Sequence, residues 1–129
     1  MQPLRPYFII ILLAFLSACS MVPYKAAEKN AEHDYTPGYL DEEISPGVYI
    51  VEVQGGKSRP LVNKEQELLR MQEHWNKRTK ELCQHGYRGE SEIIAASQAR
   101  IEKFRCETES CKNIPLVSGI IWCPQRYYL

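Results

Sequence analysis

Apolar positions along this 129-residue chain change their spacing several times, and each change marks an element. Residues 7–16 (YFIIILLAFL) are an unbroken apolar run preceded by Arg5. A charged start and ten mostly apolar residues, too few to span roughly 30 Å of hydrocarbon as a helix, predict a cleaved signal segment. Residues 48–53 (VYIVEV) are β-branched and aromatic and stop at Gly55-Gly56. Two-residue alternation puts Tyr49, Val51 and Val53 on the core face of a strand, with Ile50, Glu52 and Gln54 on the other face.

The period then lengthens. After a basic linker at 57–62 containing Pro60, Asn63 and Gln66 have the spacing of a capping box that opens a helix running to about Gln84. Leu68, Met71, Trp75, Thr79 and Leu82 fall within about 80° on the helical wheel, while Glu73, Lys77 and Glu81 follow one another at four-residue spacing on the opposite side. The helix is expected to pack one stripe on a sheet, with Gly86 as its stop. Two more strands are expected, a weaker one at 92–99 (EIIAASQA) and a stronger one at 116–123 (LVSGIIWC), joined by a polar stretch. Together these elements predict an α+β fold: a small two-layer βαββ domain with one amphipathic helix on a mainly antiparallel sheet. Residues 38–47 read as a turn-rich entry. Residues 20–37, polar and bounded by prolines, read as a flexible tether.

Leu16-Ser17-Ala18-Cys19 resembles the lipobox of bacterial lipoproteins: a branched apolar residue, two small residues and a cysteine that takes a diacylglyceryl group. The resemblance implies cleavage before Cys19, lipidation of its thiol and attachment to a membrane; several acyl chains at about 0.8 kcal/mol per methylene hold such an anchor essentially permanently. Ser20, where an inner-membrane retention signal would place Asp, implies the periplasmic face of the outer membrane. The expected organisation is a signal peptide at 1–18, a lipidated tether at 19–37 and a domain at 38–129.

Four further cysteines remain: Cys83, Cys106, Cys111 and Cys123. An even number in a small exported domain reads as two disulfides. Three pairings are open. Cys106 with Cys111 and Cys83 with Cys123 is favoured over the sequential alternative, Cys83 with Cys106 and Cys111 with Cys123. His85 beside Cys83 invites a zinc reading, but the cysteines lack paired Cys-x-x-Cys spacing, so neither metal nor cofactor is expected.

Charge excludes one partner class. Sixteen basic and sixteen acidic residues balance, which gives no basic face for nucleic acid. No Gly-x-Ser-x-Gly, His-Glu-x-x-His or Ser-x-x-Lys occurs, and the adjacent Glu42 and Glu43 point apart, so an enzyme is not expected. Gly55-Gly56-Lys57-Ser58 lacks the first glycine of a phosphate loop and reads as a turn.

Gly38-Tyr39, Tyr49-x-Val51-x-Val53-x-Gly55, Leu68-Leu69-Arg70 and His85-Gly86-Tyr87, taken in order, resemble a group of small proteobacterial lipoproteins. Those proteins carry a Gly-Tyr turn, a Tyr-x-Val-x-Phe-x-Gly strand, a helix and a closing Gly-Tyr. The similarity spans about residues 38–95. The chain departs from the pattern in having Val53 where an aromatic is usual, a more charged helix and the cysteine-rich end. The resemblance implies fold and address, and no activity. The leading functional expectation is a non-catalytic accessory module that contacts another envelope protein. Its rival is a binding module for a small envelope ligand, such as a peptidoglycan fragment, a lipid or an inhibitor target, with Tyr87, Trp122, Tyr127 and Tyr128 lining a concave site.

Overall fold

The computed structural model describes residues 23–31, 34–55 and 64–124. The signal segment, Cys19, the Asn63 end of the capping box, Lys57-Ser58 and the two tail tyrosines, Tyr127 and Tyr128, lie outside the described residues. In chain order the elements are β1 (Lys29–Ala31), β2 (Asp34–Tyr35), β3 (Gly38–Ser45), β4 (Val48–Gln54), α1 (Lys64–Leu82), β5 (Ser91–Ala95) and β6 (Pro115–Trp122). β3, β4, β6 and β5 form one antiparallel sheet in that spatial order, and β1 pairs with β2. The expected α+β architecture, one helix on a mainly antiparallel sheet, is what forms.

Alternation in β4 places its residues as expected. Val51 and Val53 are fully buried under α1 together with Met71, Trp75, Val117 and Ile121, and Tyr49, Leu68 and Leu82 pack around them. The Trp75 indole N–H donates to the Val51 carbonyl at 2.9 Å. Gly119 makes room for that ring, since a Cβ there would lie 2.8 Å from the indole Cζ2. Cys83, at the end of α1, is joined to Cys123, just past β6, with 5.2 Å between their Cα atoms. Cys106 and Cys111 are joined across 5.8 Å. Both separations are ordinary for disulfides. The favoured pairing is the one present, and the sequential one is not.

Three expectations need correction. Residues 38–47 are mostly strand: β3 and β4 make a hairpin around Pro46 and Gly47, so the order is ββαββ rather than βαββ. Asp41, Glu42 and Glu43 hid this strand, because an edge strand with a solvated side requires no apolar alternation. The weaker predicted strand ends at Ala95 and turns into two short 3-10 segments, Ala96–Gln98 and Glu102–Phe104. Their alanines suit a tight turn that tucks small side chains inward.

Residues 25–27, expected to lie in the tether, are bonded to β3. Ala26 bridges Tyr39 in parallel, the Ala27 N–H donates to the Tyr39 carbonyl at 2.9 Å, and the Tyr39 N–H donates to the Lys25 carbonyl at 3.1 Å. Gly38 permits this approach, since a Cβ there would lie 2.5 Å from the Lys25 carbonyl oxygen.

The second face of the sheet is not simply wet. Residues 96–114 cross it and bury Ala96, Ala99, Phe104 and Leu116 in a second apolar cluster, with Leu40, Ile94, Ile114 and Cys106 around it. The cover is sewn to the end of β5 by backbone bonds from Ala96 to Ile114, Ser97 to Lys112 and Cys106 to Ala96.

Candidate functional site

Between the covered and uncovered halves of the second face lies a buried ionic network. Glu52 is fully buried in mid-β4. One carboxylate oxygen accepts the Ile101 N–H at 3.0 Å; the other accepts the Arg100 N–H at 2.9 Å and the Ser118 hydroxyl at 2.7 Å. The Arg100 guanidinium returns across the site, donating to Ser118 Oγ at 2.7 Å and pairing with Glu92. A carboxylate removed from water in this way is tolerated because every contact is a hydrogen bond, two of them from backbone amides. Alternation puts Glu52 on the strand face turned away from the core. The one hint that it is buried there is Ser118, a hydroxyl in an otherwise apolar run, which stands directly across from Glu52. The network clamps the Arg100-Ile101 turn onto the sheet, with Glu52 and Ser118 buried and the Arg100 and Glu92 side chains reaching the surface.

Beyond this clamp the second face is open. Ile50 stands across from Ile120, and Val48 across from Trp122, which in turn bridges Arg88. At the end of β3 a bulge sets Ile44 and Ser45 against the single residue Val48. Ile44 is 50% exposed and Trp122 48%, and Val48 and Ile120 are half-buried beside them. Glu42, Arg88 and Glu90, all exposed, surround these apolar residues. This is a contiguous apolar area with a charged rim, the composition of an interaction surface rather than of scattered surface residues.

The aromatic residues singled out from the sequence do not converge here. Tyr87 packs on the α1 side, edge-on to Trp75 with ring centroids 6.0 Å apart, whereas Trp122 lies on the opposite face of the sheet. The concave site they were expected to share with Tyr127 and Tyr128 is therefore not assembled from these two.

A second cluster sits on the outer shoulder of α1 and β3. Tyr24 stacks on Tyr39 at 5.0 Å, meets the His74 ring edge-on at 5.5 Å and lies under the Lys77 ammonium at 4.4 Å. Its hydroxyl donates to Glu81. Arg78 lies over the Tyr39 ring at 4.5 Å and binds Asp41 at 2.7 Å. Burial, and then the Glu81 carboxylate, raise the Tyr24 phenol above its ordinary value, and the same hydroxyl holds Glu81 below its own. Burial, with Arg70 nearby, lowers His74. His74 thus serves as one wall of a seat for Tyr24.

Among the described residues no three His, Cys, Asp or Glu side chains are grouped to hold a metal ion, and no helix is long and apolar enough to cross a membrane. Compared with family models, curated proteins and solved structures, the chain matches none.

Proposed function

We propose that the chain is a bacterial envelope lipoprotein, lipidated on Cys19, and that its disulfide-bonded domain is a non-catalytic module for binding another envelope protein. The observation that carries the second part is the open half of the sheet, where Ile44, Val48, Ile120 and Trp122 stand uncovered within a charged rim. The address rests on Leu16-Ser17-Ala18-Cys19 and on the resemblance to small lipoproteins. Two disulfides support it, since such bonds persist in oxidising compartments. Ser20 favours the periplasmic face of the outer membrane. A small-ligand pocket is left without support, because Tyr87 and Trp122 are on opposite faces.

The test places a photocrosslinking amino acid at Ile44 and, in a separate strain, at Glu73 on the solvent face of α1. Irradiation of intact cells is expected to give a reproducible protein adduct from position 44 that position 73 does not give. Equal or absent adducts from both positions would refute the interface.

A further inference from the structure

The distance between the lipid and the folded domain is set by where the chain first touches the domain. A free tether over residues 19–37 would allow about 60–65 Å of extended chain before β3. Tyr24 removes most of that reach. It is seated against Tyr39, His74, Lys77 and Glu81, and the backbone following it is bonded to Tyr39 through Lys25, Ala26 and Ala27. Only four residues lie between Cys19 and Tyr24, five steps of chain that span at most about 17–18 Å. The 19-residue helix beside that seat is itself about 28 Å long. A connection shorter than the body it holds restricts how that body turns.

We propose that residues 23–31 are a strap that fixes the orientation of the domain on the membrane: the α1 and β3 shoulder faces the bilayer, and the open half-sheet with Trp122 faces away from it. The inference rests on lipidation of Cys19. Its chemistry is that of an intramolecular aromatic and hydrogen-bonded latch. The Gly38 contact makes the latch specific, since any side chain at that position would collide with the Lys25 carbonyl and the Ala27 amide. The strap keeps an apolar surface from lying on lipid and presents it to proteins on the far side.

The experiment uses full-length protein extracted from membranes and reconstituted into phosphatidylethanolamine and phosphatidylglycerol vesicles carrying a dansyl headgroup lipid. Energy transfer from the tryptophans to dansyl reports the height of the domain. Two variants lengthen the connection independently. Tyr24→Ala combined with Gly38→Ala unseats the strap and frees the chain as far as Glu28, where the β1 and β2 pair begins, about nine residues with a mean span of roughly 16 Å in place of roughly 12 Å. Twenty Gly and Ser residues inserted after Ser20 raise the mean span to roughly 28 Å without touching the domain. Transfer is expected to fall in both, by about half or more in the insertion variant, whose near-ultraviolet dichroism is unchanged. Unchanged transfer from the insertion variant, while it still floats with the vesicles, overturns the strap and leaves lipidation standing. Wild-type protein that does not float overturns lipidation, and the strap with it.

Discussion

Replacing Glu52 by Gln keeps the volume of the side chain and removes its charge, which isolates what the buried carboxylate contributes. Three donors converge on it: the Arg100 and Ile101 amides and the Ser118 hydroxyl. Hydrogen bonds to a charged acceptor contribute about 1.5–3 kcal/mol each, against about 0.5–1.5 for neutral pairs, so neutralisation alone costs on the order of 2 kcal/mol over the set. Glutamine also converts one acceptor into a donor. Whichever way the amide is turned, its NH2 group faces either the Ile101 amide or the Arg100 amide and Ser118, leaving buried donors opposed. The sum is an expected loss of about 2–4 kcal/mol. Urea unfolding with intact disulfides, followed by the fluorescence of buried Trp75, measures it. A loss below about 1 kcal/mol would refute the reasoning. It would mean that Phe104, Ala96 and Ala99 hold the cover by apolar contact alone.

The other predictions concern the staples, the fit at the core and the response to acid. Removing Cys83–Cys123 opens a loop with a sequence separation of 40 in the unfolded chain and is expected to cost about 4 kcal/mol, against about 2 for Cys106–Cys111 with its separation of 5; paired serine variants in urea give the order, and the reverse order would sink the chain-entropy account. Gly119→Val drives a side chain into the Trp75 ring and the Glu90 carbonyl, and is expected to lower the thermal midpoint by more than 10 °C, or about 2 kcal/mol, by calorimetry. His74 is depressed by burial, so the unfolded chain binds its proton more readily. Its contribution is therefore full above 6.5 and is lost as pH falls below that value; His74→Gln is expected to flatten the difference in urea midpoint between pH 7.5 and pH 5.5.

Some of this was legible because burial leaves a period. Val51, Val53, Met71, Trp75 and Thr79 all carry the spacing of their element, and all are buried where that spacing put them. The second layer left no period. Ala96, Ala99, Ile101 and Phe104 are buried from irregular backbone, where neither a two-residue nor a 3.6-residue repeat applies. Alternation therefore puts Glu52 on the face away from the core without showing that this face is covered, and its carboxylate is the anchor that the cover folds onto. β3 escaped for the opposite reason: Asp41, Glu42 and Glu43 are charged because the strand is an edge. The Arg78 and Tyr39 contacts that engage this edge become visible only when α1 is laid across it. The open surface was half legible, since Trp122 was singled out, but its true neighbours are Ile44, Val48 and Ile120 rather than Tyr87.

The sheet thus has two faces built for different purposes, and the polar groups mark where one purpose ends. On the α1 side, Val51, Val53, Val117 and Ile121 are covered by the helix, Ile93 in the β5 edge strand stays exposed, and the polar β3 edge seats Tyr24. On the second side, the Glu52, Ser118 and Arg100 network stops the cover halfway, since the turn at Arg100 and Ile101 is clamped there and cannot slide toward Trp122. A longer apolar cover would have buried Ile44 and Trp122 as well, and hydrophobic burial alone favours that outcome by roughly 25 cal/mol per Å². Fixing the cover with a charge that accepts only three donors in one geometry keeps that area uncovered. If Glu52→Leu leaves the domain folded, the freed cover is expected to shift over Trp122. Its fluorescence would then move to the blue, and crosslinking from Ile44 would weaken. Unchanged Trp122 emission in a folded Glu52→Leu variant would show that something other than the clamp sets the edge of the cover.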